Sequence, residues 1–159
     1  MYLHIHVPSQ ILMLRPDKAG EVIATYPISS SKYGVGEMHG SYKTPRGTHR
    51  IRAMIGDGCA ENTVFVGRRA TGEICSPDLM ARHPERDWIL TRILWLSGSE
   101  VGTNRLGKVD TMRRYIYIHG CPDGTSLGVP GSIGCIRMSN RDVVNLYERV
   151  SVGDVVFID

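Results

Sequence analysis

Short stretches that alternate between hydrophobic and polar residues dominate the first half of the chain. A period of two is typical of strands that bury one face, so these stretches predict strands. Pro8 and Ser9 separate the first two and predict a tight hairpin. The candidate strands are YLHIHV (2–7), QILMLR (10–15), EVIATYPIS (21–29), THRIRAMI (48–55) and NTVFVG (62–67).

The second half contains two more strands, one helix and a closing strand. The run WILTRILWL (88–96) is apolar on both faces and predicts a buried strand, and RRYIYIHG (113–120) predicts another. Residues 68–87 have few large apolar side chains and no clear period. They predict an excursion from the core, with one helical turn after Pro77. DVVFI (154–158) predicts the last strand.

The segment 139–150 is the clearest helix of the sequence. Ser139 with Asp142 three residues later matches the start of a capping box, and Gly153 follows the expected end. The apolar residues fall at helical spacing on one face, namely Val143, Leu146, Tyr147 and Val150. The whole pattern predicts a mostly β fold, a β-sandwich or mixed sheet with one or two short helices.

Length and composition limit the classes of function. A chain of 159 residues predicts one domain, 1–159, with a less typical excursion near 56–112. The net charge of +3 and the scattered Lys and Arg residues argue against a nucleic-acid partner. No apolar run reaches the ~20 residues that cross a bilayer, so no membrane partner is expected. The oligomeric state is left open.

The N-terminal residues lack a basic region, a long apolar run and a cleavage site, so they do not resemble a signal peptide. If Met1 is the natural start, we expect a cytoplasmic protein with reduced cysteines. If a leader has been removed, a periplasmic location is expected instead.

The candidate chemistry lies in the stretch YIYIHGCPDGTSLGVPGSIGCIRMSN (115–140), which holds His119, Cys121 and Cys135. Three interpretations are open. The three side chains could bind zinc, but their spacing lacks the paired short intervals of structural zinc sites. Cys121 and Cys135 could form a disulfide, which a reducing compartment disfavours. Cys135 could be a nucleophile with His119 as its base.

The third interpretation needs the two side chains to meet in space. A strand that ends at His119, followed by a glycine-rich loop that returns at Cys135, allows this. The backbone N–H groups of Gly134 and Cys135 could then converge on an oxyanion. The start of the helix near Ser139 is expected to lower the thiol pKa of Cys135. The other cysteines, Cys59 and Cys75, are expected to be small hydrophobic side chains.

The same stretch resembles the signature of the L,D-transpeptidase catalytic domain, the YkuD family. The resemblance is carried by IHG (118–120) and PGSIGCIRMSN (130–140), and by YKTPRGTHRI (42–51), which is similar to the family's Thr-Pro-x-Gly strand entry. The opening hairpins and the closing helix and strand are also similar. The resemblance covers nearly the whole chain and is weakest over 56–112.

The resemblance implies roles for individual residues. Cys135 would be the nucleophile, His119 the general base, and the Gly120 carbonyl the group that orients the imidazole. Gly134 and Cys135 would supply the oxyanion N–H groups. Arg137 would contact a substrate carboxylate or brace the loop, with the brace favoured, and Ser132 would shape the turn.

Two positions depart from the family pattern. Ile133 stands where the family usually has a histidine, which leaves the rate and substrate open and admits a non-catalytic muropeptide-binding module. Cys121 stands where Thr or Ser is usual, as a packing residue or as a partner that traps Cys135 on oxidation. Surface positions are expected for the remaining histidines, His4, His6, His39, His49 and His83. A position lining a substrate groove is the alternative for His39 and His49.

The resemblance implies acyl transfer on peptidoglycan stem peptides without a metal or organic cofactor. The bond cleaved would be the L-to-D bond between the third residue, a diamino acid, and the terminal D-alanine. The compact chain resembles the cytoplasmic L,D-carboxypeptidase branch, which predicts trimming of tetrapeptide muropeptides in recycling; the alternative is a transpeptidase that forms cross-links or exchanges D-amino acids. An active Cys135 is expected to alkylate faster than Cys59 or Cys75 at neutral pH.

Overall fold

The structure is a computed structural model that describes all 159 residues. It contains ten strands, two α-helices and one short 3₁₀ turn, so the predicted mostly β fold with two short helices is confirmed. The strands are β1 (Tyr2–His6), β2 (Ile11–Arg15), β3 (Ala24–Pro27), β4 (Gly47–Ile55), β5 (Thr63–Val66), β6 (Arg69–Ile74), β7 (Ile89–Gly98), β8 (Tyr117–Gly120), β9 (Ile136–Met138) and β10 (Val155–Ile158). The helices are α1 (Pro77–Arg82) and α2 (Asn140–Tyr147), and the 3₁₀ turn is Gly107–Val109.

All ten strands belong to one mixed sheet with the order β3-β2-β1-β10-β4-β7-β5-β6. β8 pairs with β7 and continues the sheet to β9 as a branch. The pairs β1–β10 and β8–β9 are parallel, and the others are antiparallel. The long strand β7 pairs with both β4 and β8 and so connects the main path of the sheet to the short parallel pair that carries the candidate residues.

The largest core cluster has 18 buried residues and lies between one face of the sheet and α2. Val143 and Leu146 of α2 are fully buried in it, as the predicted apolar face requires. Burial of each such side chain stabilises the fold by about 1.5–3 kcal/mol. Two smaller clusters form around Trp88 and around Phe65.

Helix α2 begins as predicted and ends earlier. The Ser139 hydroxyl accepts a hydrogen bond from the Asp142 N–H at 3.1 Å, which caps the first turn. The helix ends at Tyr147, whereas the sequence pattern extended it to Val150. Val150 is still buried, because the chain turns toward β10 with its apolar side chain directed into the core.

Residues 56–112, which resemble the family least, contribute both an edge and the centre of the sheet. β5 and β6 form a hairpin at the edge, and α1 follows with Pro77 in its first turn as predicted. β7 belongs to the same region, yet it contacts β4, β5 and β8. Neither helix is long and apolar enough to span a bilayer.

Candidate active site

The parallel pair β8–β9 brings His119 and Cys135 together. His119 lies opposite Arg137 in the register of this pair, and Cys135 directly precedes β9. Because side chains alternate along a strand, Cys135 and Arg137 project to the same side of the pair as His119 and Tyr117. The thirteen residues between Cys121 and Cys135 form the loop that connects the two strands.

His119 is buried, with 1% of its surface exposed. Its Nδ1–H donates to the Gly120 carbonyl at 2.6 Å, which leaves Nε2 unprotonated and free to accept a proton. Burial is the main reason that the pKa of His119 lies below its ordinary value, and the positive charge of Arg137 adds to this effect. The imidazole is therefore neutral at neutral pH.

Cys135 is half-buried and lies at the floor of a cleft. Its sulfur accepts the Tyr117 N–H at 3.3 Å, and its thiol donates to the Tyr115 carbonyl at 3.3 Å. No hydrogen bond joins the sulfur to His119 in this resting arrangement. Active-site hydrogen bonds of this kind are often formed only when substrate is bound.

The thiol pKa of Cys135 is higher than expected from the sequence. Burial of the sulfur raises this pKa to about 12, and the Tyr117 N–H opposes the effect only in part. The prediction that the start of α2 lowers the pKa is wrong. The three residues of β9 separate Cys135 from the helix by about 10 Å, beyond the first turn in which a helix dipole acts.

The turn before Cys135 is fixed by side-chain hydrogen bonds. The Ser132 hydroxyl donates to the Cys135 carbonyl at 2.5 Å and accepts the Gly134 N–H at 3.2 Å. Thr44 donates to the Gly134 carbonyl at 2.9 Å. Gly134 has a φ of +134°, a conformation that residues with a Cβ rarely adopt. Ser132 therefore shapes the turn.

The two N–H groups predicted for an oxyanion site differ in their partners. The Cys135 N–H forms no hydrogen bond within the protein and is available to a ligand. The Gly134 N–H is engaged by the Ser132 hydroxyl. The Cys135 N–H is thus a free donor beside the sulfur, whereas the Gly134 N–H must leave the Ser132 hydroxyl before it can donate to an oxyanion.

Arg137 braces the loop and also reaches the site. It donates to the Gly131 carbonyl at 3.0 Å and pairs with Asp87 at 3.3 Å. Its backbone is bonded on both sides to Ser29. The guanidinium remains partly exposed, so a substrate contact stays a prediction.

Behind His119, a buried polar network packs against Gly120. Thr91 donates to the Asn140 amide oxygen at 2.6 Å and accepts the Asn62 N–H at 3.0 Å. Asn140 in turn donates to the Asn62 side chain at 2.9 Å. A Cβ at Gly120 would approach the Leu90 carbonyl to 2.7 Å and would collide with Asn140, so only glycine fits between the network and His119.

The cleft above Cys135 has a volume of about 380 Å³. The β5–β6 hairpin forms one wall with Phe65 and Arg68, and Tyr42 and Ile133 lie on the other side. A recess of about 200 Å³ adjoins the cleft and shares Tyr42, Ile133 and Arg114 with it.

A profile of the L,D-transpeptidase catalytic domain family, YkuD, matches residues 1–158. The chain belongs to this family. No curated protein matches the sequence.

Solved structures similar to this L,D-transpeptidase-family domain share its fold at low sequence identity. They include an L,D-transpeptidase from Mycobacterium smegmatis (TM-score 0.54, 20% identity), L,D-transpeptidase 3 from Mycobacterium tuberculosis (0.56, 15%) and the C442S mutant of an Enterococcus faecium L,D-transpeptidase (0.58, 15%). Each match covers 99% of this chain and 58%, 60% and 49% of the other chain, respectively. The chain thus spans between about half and three fifths of the length of these structures.

The remaining cysteines of this L,D-transpeptidase-family domain lie outside the cleft and are free thiols. Cys121 is buried and donates to the Met138 carbonyl at 3.1 Å, and Cys75 packs beside Trp88. Cys59 is half-buried and packs against the cluster around Phe65. No group of three or more His, Cys, Asp or Glu side chains is arranged to hold a metal ion.

The predicted surface position of His49 is wrong. It is fully buried in β4, where its ring contacts the Gly47 carbonyl and the Thr111 hydroxyl, each at 3.0 Å. His39 is exposed and lines the recess, and His83 is exposed after α1. His4 and His6 are half-buried, and each ring contacts a polar side chain near the surface.

Sequence reasoning missed Asp87, Arg68 and Arg114 at the site. Asp87 lies close enough to Cys135 and His119 to oppose loss of the thiol proton and favour the charged imidazole. Arg68 stacks over the rings of Trp95 and Tyr115 and donates to the Tyr117 hydroxyl at 3.1 Å. Asp87 and Arg68 are distant from the motif in sequence, and Arg114 directly precedes it in a stretch interpreted only as a strand, so no local pattern indicated them.

Proposed function

We propose that this domain transfers acyl groups of peptidoglycan stem peptides through a thioester on Cys135, and that its main reaction is L,D-carboxypeptidase cleavage. Membership of the L,D-transpeptidase family supports the chemical class. The observation that carries the proposal is a cysteine that lines the cleft, Cys135, on the parallel strand pair that also holds His119, a neutral imidazole whose Nδ1–H donates to the Gly120 carbonyl.

In the acylation step, the Cys135 thiol exchanges the Tyr115 carbonyl for Nε2 of His119 as its proton acceptor. The sulfur then attacks the carbonyl carbon of the third stem residue. The oxyanion that forms accepts the free Cys135 N–H, and the Gly134 N–H once Ser132 releases it. The C–N bond breaks as His119 returns the proton to the amine of D-alanine, which leaves a thioester.

In the second step, water attacks the thioester while His119 accepts its proton. The C–S bond breaks and the thiol takes that proton back, so the enzyme is regenerated and a tripeptide acid is released. An amine acceptor in place of water gives transpeptidation by the same route. Both thiol and imidazole start neutral, so no charged pair has to be stabilised in the resting site.

The dimensions of the site support hydrolysis over cross-linking. The cleft of 380 Å³ lies near the lower end of the range of ligand pockets, about 300 to 1,000 Å³, and suits one short peptide end. The adjoining recess of 200 Å³ lies below that range. It admits water or a single amino acid more readily than a second stem peptide.

The charge of the cleft supports a substrate with a free terminal carboxylate. Arg68 and Arg114 line the cleft against one carboxylate, that of Asp87. Arg68 is held in place by two aromatic rings, which lowers the entropic cost of binding an anion. A terminal D-alanine carboxylate matches this surplus of positive charge.

The proposed setting is the recycling of released tetrapeptide muropeptides in the cytoplasm. The first alternative is a transpeptidase that forms cross-links or exchanges D-amino acids in the periplasm. The second alternative, suggested by Ile133, is a non-catalytic muropeptide-binding module. Cell fractionation with an antibody against the protein tests the location.

The experiment is incubation with a tetrapeptide stem, with and without a D-amino acid, followed by mass analysis of the products. Loss of one alanine without an exchange product is the expected result. A dominant exchange or cross-linked product would contradict the carboxypeptidase proposal and indicate a transpeptidase.

Two variants control this experiment. Cys135→Ala abolishes product if the thioester forms on Cys135, whereas Cys75→Ala, away from the cleft, keeps the activity. Absence of product from the unmodified protein, together with retained binding of the peptide, would favour the binding module.

A further inference from the structure

A groove outside the catalytic cleft is lined by four arginines. It has a volume of about 650 Å³ and lies between the exposed face of β4 and β7 and the segment 99–113. Arg50 and Arg52 come from β4, and Arg105 and Arg113 come from the segment that forms the opposite wall. Arg50 lies across from Ser97, whose small side chain leaves the groove open.

The guanidinium groups of this groove are almost free of protein partners. None of the five ion pairs of the structure involves any of the four. Arg50 donates to the Gly153 carbonyl at 2.8 Å, and the other three form no side-chain hydrogen bond. The single carboxylate among the lining residues, that of Asp110, already accepts the N–H groups of Leu106 and Arg113.

Four arginines and one aspartate leave an excess of three positive charges in the groove, as large as the net charge of +3 of the whole chain. Asp110 partly balances Arg105 and Arg113, and the remaining like charges that share the groove repel each other without a compensating anion. Guanidinium groups present forks of N–H donors that match phosphate oxygens. Asp110 fixes the wall through backbone hydrogen bonds, so the groove is formed before a ligand binds.

The groove lies beside the catalytic cleft on the same face of the sheet. Trp95 of β7 lies opposite Tyr117, and Ser97 follows two residues later on the same face. The Trp95 indole donates to the carbonyl of Met112, which lines the groove, at 3.1 Å. An anion bound in the groove would thus lie next to the peptide site.

We propose that this arginine groove binds a phosphate-bearing ligand, with phosphate oxygens bridging the arginines of its two walls. The binding is independent of Cys135, because no groove residue contacts the sulfur. The phosphate can belong to a soluble compound or to a lipid headgroup, and these two sources are separated by the choice of probe.

The test is calorimetric titration of the intact protein with inorganic tripolyphosphate at low and at high salt, and sedimentation with phosphatidylglycerol vesicles. Arg52→Gln/Arg113→Gln removes one guanidinium from each wall. Arg82→Gln/Arg141→Gln removes the same charge from exposed positions of α1 and α2 and is the matched control.

We expect tripolyphosphate binding that weakens with salt and falls by about tenfold or more in the groove variant, with the control close to the unmodified protein. Binding of vesicles alone, lost in the groove variant, supports the lipid source. No binding of either probe, or an equal loss in both double variants, would overturn the proposal.

Discussion

The protonation states of Cys135 and His119 determine how this site responds to pH. Because burial raises the thiol pKa to about 12, only a very small fraction of Cys135 is thiolate at neutral pH. We therefore predict that iodoacetamide alkylates Cys135 slowly at pH 7 and faster as the pH rises, without a plateau below about pH 9. This replaces the sequence-based expectation of fast alkylation.

Peptide mapping by mass spectrometry measures this rate beside that of Cys59. Cys59 is half-buried and serves as the internal reference. Alkylation of Cys135 that is fast and independent of pH between about 6 and 8 would mean a stable thiolate and contradict the neutral pair.

The lowered pKa of His119 predicts the acid limb of the activity. In the proposed mechanism the base is the neutral imidazole of His119, so activity should be lost only when the pH falls below the pKa of His119. Burial lowers this pKa, so we expect the midpoint of the acid limb of kcat/KM below the ordinary value of about 6.5. A midpoint at or above that value, with circular dichroism unchanged, would exclude a buried neutral base.

The placement of Cys135 and His119 on neighbouring strands could be predicted because both belong to one short signature between two strands. Their protonation states could not. Those depend on burial within the fold and on charges such as that of Asp87, which is distant in sequence and reaches the site only through the fold. The same distance explains why the free Cys135 N–H and the engaged Gly134 N–H could not be told apart.

At the scale of elements, an irregularity in β7 supports the strand that carries His119. The pairing of β7 with β8 shifts between Leu90 and Ile93, and Thr91 lies there with a φ of +73°. A β-branched residue in this region costs about 1–3 kcal/mol and persists only when its surroundings hold it. The hydrogen bonds of Thr91 to Asn62 and Asn140 do so.

We predict that Thr91→Val lowers stability and shifts the pH profile of kcat/KM. Valine keeps the shape and leaves the Asn62 N–H and the Asn140 oxygen without a partner, which costs about 2–3 kcal/mol of unfolding free energy. Gly120 then loses its rigid support, and a weaker hydrogen bond from the His119 Nδ1–H to its carbonyl lowers the pKa of His119 and moves the acid limb of kcat/KM to lower pH.

Urea unfolding and the pH profile of kcat/KM test this prediction together. Thr103→Val, at an exposed position without side-chain hydrogen bonds, is the matched control. A variant that is less stable but keeps its pH profile would assign Thr91 to stability alone.

The elements with a clear period could be predicted, and those set by partner strands could not. β1, β2 and α2 follow their hydrophobic patterns. β6 has no buried residue and is a strand only because it pairs with β5. The end of α2 likewise depends on the turn toward β10, which no propensity in 148–150 indicates.

At the scale of the whole molecule, the sheet order explains why His49 was misplaced. The polar side chain of His49 favoured a surface position, but His49 shares a strand face with the buried Ile51, β4 lies between β10 and β7, and Thr111 covers the ring. Burial is thus imposed by three separate parts of the chain. It also lowers the pKa of His49 to about 4, which makes the stability of the fold depend on pH in mild acid.

This link predicts a loss of stability in mild acid. In the unfolded chain His49 binds a proton below about pH 6.5, whereas in the folded chain it does so only below about pH 4, so the unfolded state gains protons first as the pH falls. The contribution of His49 is complete above pH 6.5 and has fallen by roughly 2.5 kcal/mol at pH 4.5, and His119 acts with the same sign.

Urea unfolding at pH 7.5 and pH 4.5 measures this difference in unfolding free energy. His49→Gln should reduce this difference by about the same 2.5 kcal/mol, whatever its own stability, while His39→Gln at an exposed position should leave it unchanged. Equal pH dependence in His49→Gln and the unmodified protein would mean that His49 titrates alike in both states, and that the acid sensitivity belongs to other groups.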